Sequence, residues 1–155
     1  MNEVKYSVEE ARLGMERLMP SIERYAELVV RKGVNVTDGQ EVVVQAPVEC
    51  AMFVRLLVKE AYRAGAGHVT VIWNDDAVMR LTYENVETAW FETVPSWQRE
   101  QLDSLADQGA CFIFVEGAAP EALKGIDPAK PAAAGKARNT QCRVFRHGLD
   151  FNINP

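Results

Sequence analysis

With 155 residues, 48% of them hydrophobic and 25% charged, the chain has the composition of one folded domain rather than of a disordered segment. A formal net charge of −5 argues against a general nucleic-acid binder, and no apolar run approaches the roughly 18 residues needed to cross a bilayer. Cys50, Cys111 and Cys142 are far apart, which suits reduced thiols in a reducing compartment and offers no CxxC pair for zinc or redox chemistry.

The N-terminus, Met1 to Tyr6, has neither a hydrophobic core nor a small-residue cleavage site of the kind a secretion signal carries, so a cytosolic location is expected. Ser7-x-x-Glu10 is a capping box that starts a helix at Val8, running to Leu18. Pro20 is expected to break the pattern, with Ser21 capping a second helix through Lys32. On that helix Ile22, Tyr25, Ala26, Leu28 and Val29 share one face, against Glu23, Arg24, Glu27 and Arg31. Gly33 ends it, and Asp38-Gly39 turns the chain into a strand, Glu41–Ala46. A hairpin from Val34 to Val44 around Asp38-Gly39 is the alternative reading of that turn.

Three consecutive valines, Val42 to Val44, leave neither face of this strand polar, as expected for a parallel sheet covered on both sides. Pro47 cannot donate to a ladder and stops the strand. A helix follows from about Val48 to Ala64, with Ala51, Val54, Leu57, Val58 and Ala61 facing a core. Arg55, Lys59 and Arg63 recur every four residues as a basic stripe, which reads as a solvated face or as a surface for phosphate or a partner. Gly65 stands where a helix end needs a left-handed residue, and Gly67 leads into a second strand, His68–Trp73. The rest of the chain reads as additions to this βαβ unit, Glu41 to Asn74.

Asn74-Asp75-Asp76 follows, with Asp75 or Asp76 as the cap of a helix over Ala77–Tyr83. Val94-Pro95-Ser96-Trp97 opens a further helix to Gln108, with Leu102, Leu105 and Ala106 buried and Gly109 as its stop. Ala110 to Val115 is a third strand, and Glu116 to Pro120 a loop at its carboxyl end. Asp127-Pro128 caps and opens a last helix to Leu149, and from Pro128 to Leu149 there are five Lys/Arg and no Asp/Glu. Its alanines and Gly135 give it a weak apolar stripe, so it is expected on a surface or against something outside the domain. Phe151 and Ile153 then alternate with Asn152 and Asn154 like the opening of a strand. The predicted fold is therefore α/β, an open, mostly parallel sheet built on βαβ units with helices on both faces.

No catalytic constellation emerges. His68 begins a strand at the amino edge of the sheet, away from the edge where such sheets bind ligands, and reads as structural. His147 lies in the basic helix, where it could interact with the helix dipole. Cys111 reads as core. Cys50 is at a helix N-terminus, which could activate a nucleophile, but neither histidine is near it in sequence. Asp75 and Asp76 are caps or, with Glu49 and Glu116, metal ligands. The Glu116–Pro120 loop carries neither GxGxxG nor a Walker lysine. No residue is therefore assigned as catalytic, cofactor-binding or metal-binding.

The runs SIERYAELVVRKGVNV (Ser21–Val36) and GQEVVVQAPVECAMFVRLLVKEAYRAGA (Gly39–Ala66) resemble the N-terminal region of the aminopeptidase T / PepS-type metallopeptidases, the thermophilic aminopeptidase family. The likeness continues through Val69–Leu81, Val94–Ala110 and Leu123–Lys130 and spans nearly everything from Ser21 to Phe145. Residues 1–20 are not covered by the likeness and read as an added helical segment; the resemblance implies an α/β N-terminal domain over residues 21–155. A larger catalytic C-terminal domain, absent from this sequence, would carry a pair of divalent metal ions (zinc, cobalt or magnesium) on Glu, His, Asp and Tyr. It implies a cytoplasmic, homodimeric enzyme that removes N-terminal amino acids from peptides, with the two ions activating a water. No metal is expected on this piece, which would be inactive alone; its partner would be its own C-terminal domain, with no nucleic acid and no membrane. The alternatives are a stand-alone module binding a small ligand at the edge formed by Pro47–Glu49, Asn74–Asp76 and Glu116–Gly117, or an assembly domain whose basic helix docks an acidic partner.

Overall fold

The computed structural model describes residues 7–117 and 121–150. Three strands, β1 (Glu41–Pro47), β2 (His68–Asn74) and β3 (Cys111–Phe114), form one sheet in the order β2-β1-β3. Both ladders are parallel, with Glu41 opposite His68 and Val42 opposite Cys111. Six helices accompany them: α1 (Val8–Leu28), α2 (Ala51–Arg63), α3 (Asp76–Asn85), α4 (Ser96–Asp107), α5 (Ala129–Gln141) and α6 (Arg143–Asp150). A π-helical turn over Val29–Gly33 and 3-10 turns over Val48–Cys50 and Thr88–Glu92 complete the described elements.

The valine run of β1 supplies both cores because alternate side chains leave opposite faces of a strand. Val42, Val44 and Ala46 pack on one side with Ala26 and Val30, and with Val54, Leu57 and Ala61 of α2. Val43 points the other way, into a cluster of Leu102 and Ala106 of α4, Phe112, Cys142 and Phe145. Each such large apolar side chain contributes roughly 1.5–3 kcal/mol when fully buried. The open parallel α/β sheet with helices on both faces is thus the observed architecture.

Two local expectations are corrected, and the alternative hairpin is not formed. Pro20 does not break the first helix: α1 runs unbroken from Val8 to Leu28 with Pro20 inside it. Proline removes one helical hydrogen bond and crowds the carbonyl four residues back. Pro20 is exposed, however, so water can serve the carbonyl of Glu16. The helix is held at both ends, by the Ser7–Glu10 capping box and by burial of Ala26.

Residues 34–40 form no hairpin strand. Gln40 N–H donates to the Thr37 carbonyl (3.1 Å) and Gly39 N–H to that of Gly65 (2.8 Å), so this turn is tied to the end of α2. The last helix is two helices. The backbone turns aside at Cys142 (φ −89°, ψ 68°), and α6 packs on α4 and the sheet with Phe145 and Gly148 buried. One face of α6 joins the core, while Arg143, Val144, Arg146 and His147 stay exposed. The loop positions Ala118 to Pro120 and the alternating end, Phe151 to Asn154, lie outside the described residues.

Candidate functional site

The carboxyl ends of the strands come together at Pro47, Asn74 and Phe114. In the order β2-β1-β3 the chain leaves β1 toward one neighbour and later returns to the other. α2 packs on one face of the sheet and α4 on the opposite face. The gap between the ends of β1 and β3 is therefore a topological switch point, the position at which open parallel sheets bind ligands. Gly117 closes over it: a Cβ built there would lie 3.6 Å from Cys50 Sγ and 3.9 Å from Pro47 Cγ.

Two shallow cavities open here, of about 290 and 250 Å³. They share Gln45, Phe114 and Glu116 and so lie side by side, as the two halves of the groove at this edge. Asn74 and Asp76 line one end, and Arg138 and Arg146 the other. Gln45 is the one polar interruption of the apolar run Val42–Ala46. Its Oε1 accepts a hydrogen bond from Arg138 Nη2 at 3.0 Å. The Arg138 guanidinium also lies over the Phe145 ring, 5.4 Å from its centroid. Burial lowers its pKa, because a desolvated cation is disfavoured. Among the described residues it makes no ion pair, whereas Arg146 is held by Asp150 at 2.6 Å.

The residues singled out from sequence divide between this groove and the scaffold. Asp75 is a cap: its Oδ1 accepts from Ala77 N–H (2.9 Å) and Val78 N–H (3.0 Å). Asp76 and Glu116 line the groove, while Glu49 is exposed beside it. His68 sits at the opposite, amino edge, where its Nδ1 lies 3.0 Å from Glu41 Oε1, and Glu41 also accepts from Thr70 Oγ1 at 2.7 Å. His147 is in the last turn of α6. Cys111 is wholly buried in β3, and burial pushes its thiol up to about 11. Cys142 is buried too, its pKa raised by burial and then by the nearby carboxylate of Asp103. Cys50 is half-buried at the start of α2.

The basic stripe of α2 faces solvent and the π-helical turn after α1: Arg63 pairs with Glu60 at 2.7 Å, and Arg31 of that turn reaches the Arg63 carbonyl at 3.5 Å. A second cavity of about 290 Å³ lies between α3, α4 and α5, walled by Tyr83, Trp90, Phe91 and Leu102. Arg138 and Gln45 were not singled out from sequence, because they are 93 residues apart and only the fold brings them together.

Residues 19–153 match the sequence model of the thermophilic metalloprotease (M29) family. The chain belongs to the M29 family. It is 43% identical over 132 residues to aminopeptidase AmpS of Bacillus subtilis, covering 85% of this chain and 32% of that protein. It is 35% identical over 135 residues to aminopeptidase T of Thermus aquaticus, covering 87% and 32%. The solved structure of wild-type AmpT from Thermus thermophilus superposes with a TM-score of 0.73 at 35% identity, over 86% of this chain and 33% of that one.

The chain thus spans about a third of the length of the relatives it matches. A metalloprotease family implies a divalent metal, and the described residues of this M29 chain do not fit one. Among the described residues no group of three or more His, Cys, Asp or Glu could hold an ion. Asp75, the carboxylate nearest Asp76 in sequence, is turned onto the start of α3. No helix among the described residues is long and apolar enough to cross a membrane.

Proposed function

We propose that this chain is the N-terminal α/β domain of a metal-dependent aminopeptidase that releases N-terminal amino acids from peptides. The reading rests on one observation: sequence identity of 43% to an aminopeptidase, carried through 85% of this chain but only 32% of that protein. In this reading residues 1–20 are an extension and residues 21–155 the domain itself. The metal ions (zinc, cobalt or magnesium, two per active site) and the catalytic groups belong to the remaining length of the enzyme. This chain contributes a scaffold and no residue to the hydrolytic step, and it is inactive by itself. The assembled enzyme is a cytoplasmic homodimer, and the chain's first partner is its own catalytic domain.

The test is an assay of aminoacyl p-nitroanilide hydrolysis with and without added divalent metal. It uses the 155-residue chain and, where the coding sequence continues past Pro155, the protein made from the longer reading frame. Metal-dependent hydrolysis by the longer protein, lost on chelation and absent from the 155-residue chain, is the expected result. Metal-dependent turnover by the 155-residue chain would overturn the division of labour. A longer protein inert with every metal would overturn the peptidase reading.

A further inference from the structure

At the carboxyl edge of the sheet Arg138 lines one half of the groove, Asp76 the other and Glu116 both, with Phe114 common to the two halves. We infer that this groove is a binding site for a small zwitterion, a free amino acid with an apolar side chain, whose carboxylate is held by Arg138 and whose ammonium faces Glu116 and Asp76.

Arg138 carries the argument. A guanidinium has five N–H donors and keeps its charge at any physiological pH. Among the described residues Arg138 makes one hydrogen bond, to Gln45 Oε1, and no ion pair. A partly desolvated cation with most of its donors unengaged is costly unless an anion meets it; besides lying over the Phe145 ring, Arg138 borders both this groove and the cavity between α3, α4 and α5. The neighbouring Arg146 is already held by Asp150 at 2.6 Å. Accepting from Arg138 also orients the Gln45 amide, which leaves its NH₂ as a second donor at the floor of the groove.

The other end selects the class of anion. Glu116 lines both halves of the groove and Asp76 the far half. A phosphate or dicarboxylate on Arg138 would face these carboxylates and be repelled. A zwitterion meets an opposite charge at each end. Phe114, 43% exposed although it ends a strand, forms the wall with Phe145 and Pro47 and suits an apolar side chain. The position is the switch point between β1 and β3. The inference uses residues of this chain alone, so it can fail while the peptidase reading stands.

Calorimetric titration of the full chain with L-leucine, N-acetyl-leucine, leucinamide and inorganic phosphate tests it without any hydrolysis. Saturable millimolar binding of leucine is expected, with the acetylated and amidated forms each weaker by about 10-fold or more, since each lacks one charged contact. Arg138→Gln abolishes binding and Arg138→Lys retains part of it. Glu116→Gln, at an exposed position, removes the preference for leucine over N-acetyl-leucine. Should Arg138→Gln fail to fold, the Glu116 variant decides alone: an unchanged preference overturns the inference. No saturable binding, equal affinity for all three leucine compounds, or tighter binding of phosphate would each overturn it as well.

Discussion

A Cβ built on Gly67 would lie 2.5 Å from the carbonyl oxygen of Gly39, closer than any side chain tolerates. The two turns at the amino edge of the sheet interlock there. Gly39 N–H donates to the Gly65 carbonyl (2.8 Å) and Gly67 N–H to that of Gln40 (2.9 Å), so neither backbone can retreat without losing a bond. Gly67→Ala is therefore expected to destabilise the fold by about 2–4 kcal/mol. Gly135, inside α5, has nothing within 4 Å of its would-be Cβ. Gly135→Ala should stabilise by up to about 1 kcal/mol through helix propensity. Urea midpoints of the two variants should move in opposite directions.

Phe145 is 5% exposed and packs edge-on against Phe112 at 5.1 Å. Phe145→Ala should cost about 3–5 kcal/mol, whereas Val144→Ala, at a position 45% exposed, should change stability by less than about 0.5 kcal/mol. Equal midpoints for the two would show that α6 is not part of the core.

The three thiols should separate on exposure alone. Cys50 is half-buried and Cys111 and Cys142 are fully buried. Titration of the native chain at pH 8 with an aromatic disulfide reagent should label Cys50 promptly and the other two only after unfolding. For Cys111 the folded pKa is raised above its ordinary 9.0 to about 11. Its stabilising contribution is full below pH 9.0 and lost as pH rises through about 11. Cys111→Ala should flatten the alkaline fall in the denaturation midpoint across that window.

At the other end of the pH scale, Glu10 is held below its ordinary 4.5 by hydrogen bonds from the Ser7 backbone and hydroxyl. A depressed carboxylate pKa contributes stability above 4.5 and loses it as pH falls through the folded value beneath. The first turn of α1 should therefore fray on acidification, followed by the amide chemical shifts of residues 8–12. Ser7→Ala removes the hydroxyl but keeps the backbone donor, so it should move that transition to higher pH without abolishing it.

What the sequence made legible was local. Val42–Val44, Pro47, Gly65 and Gly67 each dictate backbone or burial within a few residues, and the βαβ unit they define is the one observed. Asp75 as a helix cap and Cys111 as core followed from the same short-range rules. The misreadings share one cause. Pro20 obeys a local rule that exposure and distant packing override, and the alanines of α5 carry no mark of the face they bury. The break at Cys142 serves the packing of Phe145, not any local preference. The groove was half legible: Asp76 and Glu116 could be placed at the ligand edge from topology, while Arg138 arrives there from a helix near the far end of the chain.

The two ladders of the central strand also set an order of assembly. Glu41 and His68 are 27 residues apart, joined across a single helix, whereas Val42 meets Cys111 only after α3 and α4 have been made. Closing the longer loop adds just about 0.6 kcal/mol per doubling, yet that cost falls due before any contact rewards it. On a ribosome, β1 and β2 can zip together while β3 is still unsynthesised. Until then the second edge of β1, Val42 to Gln45, stands open with its backbone donors unsatisfied, and a neighbouring nascent chain is the nearest available strand. The centre of the finished sheet is thus, during synthesis, its most aggregation-prone margin.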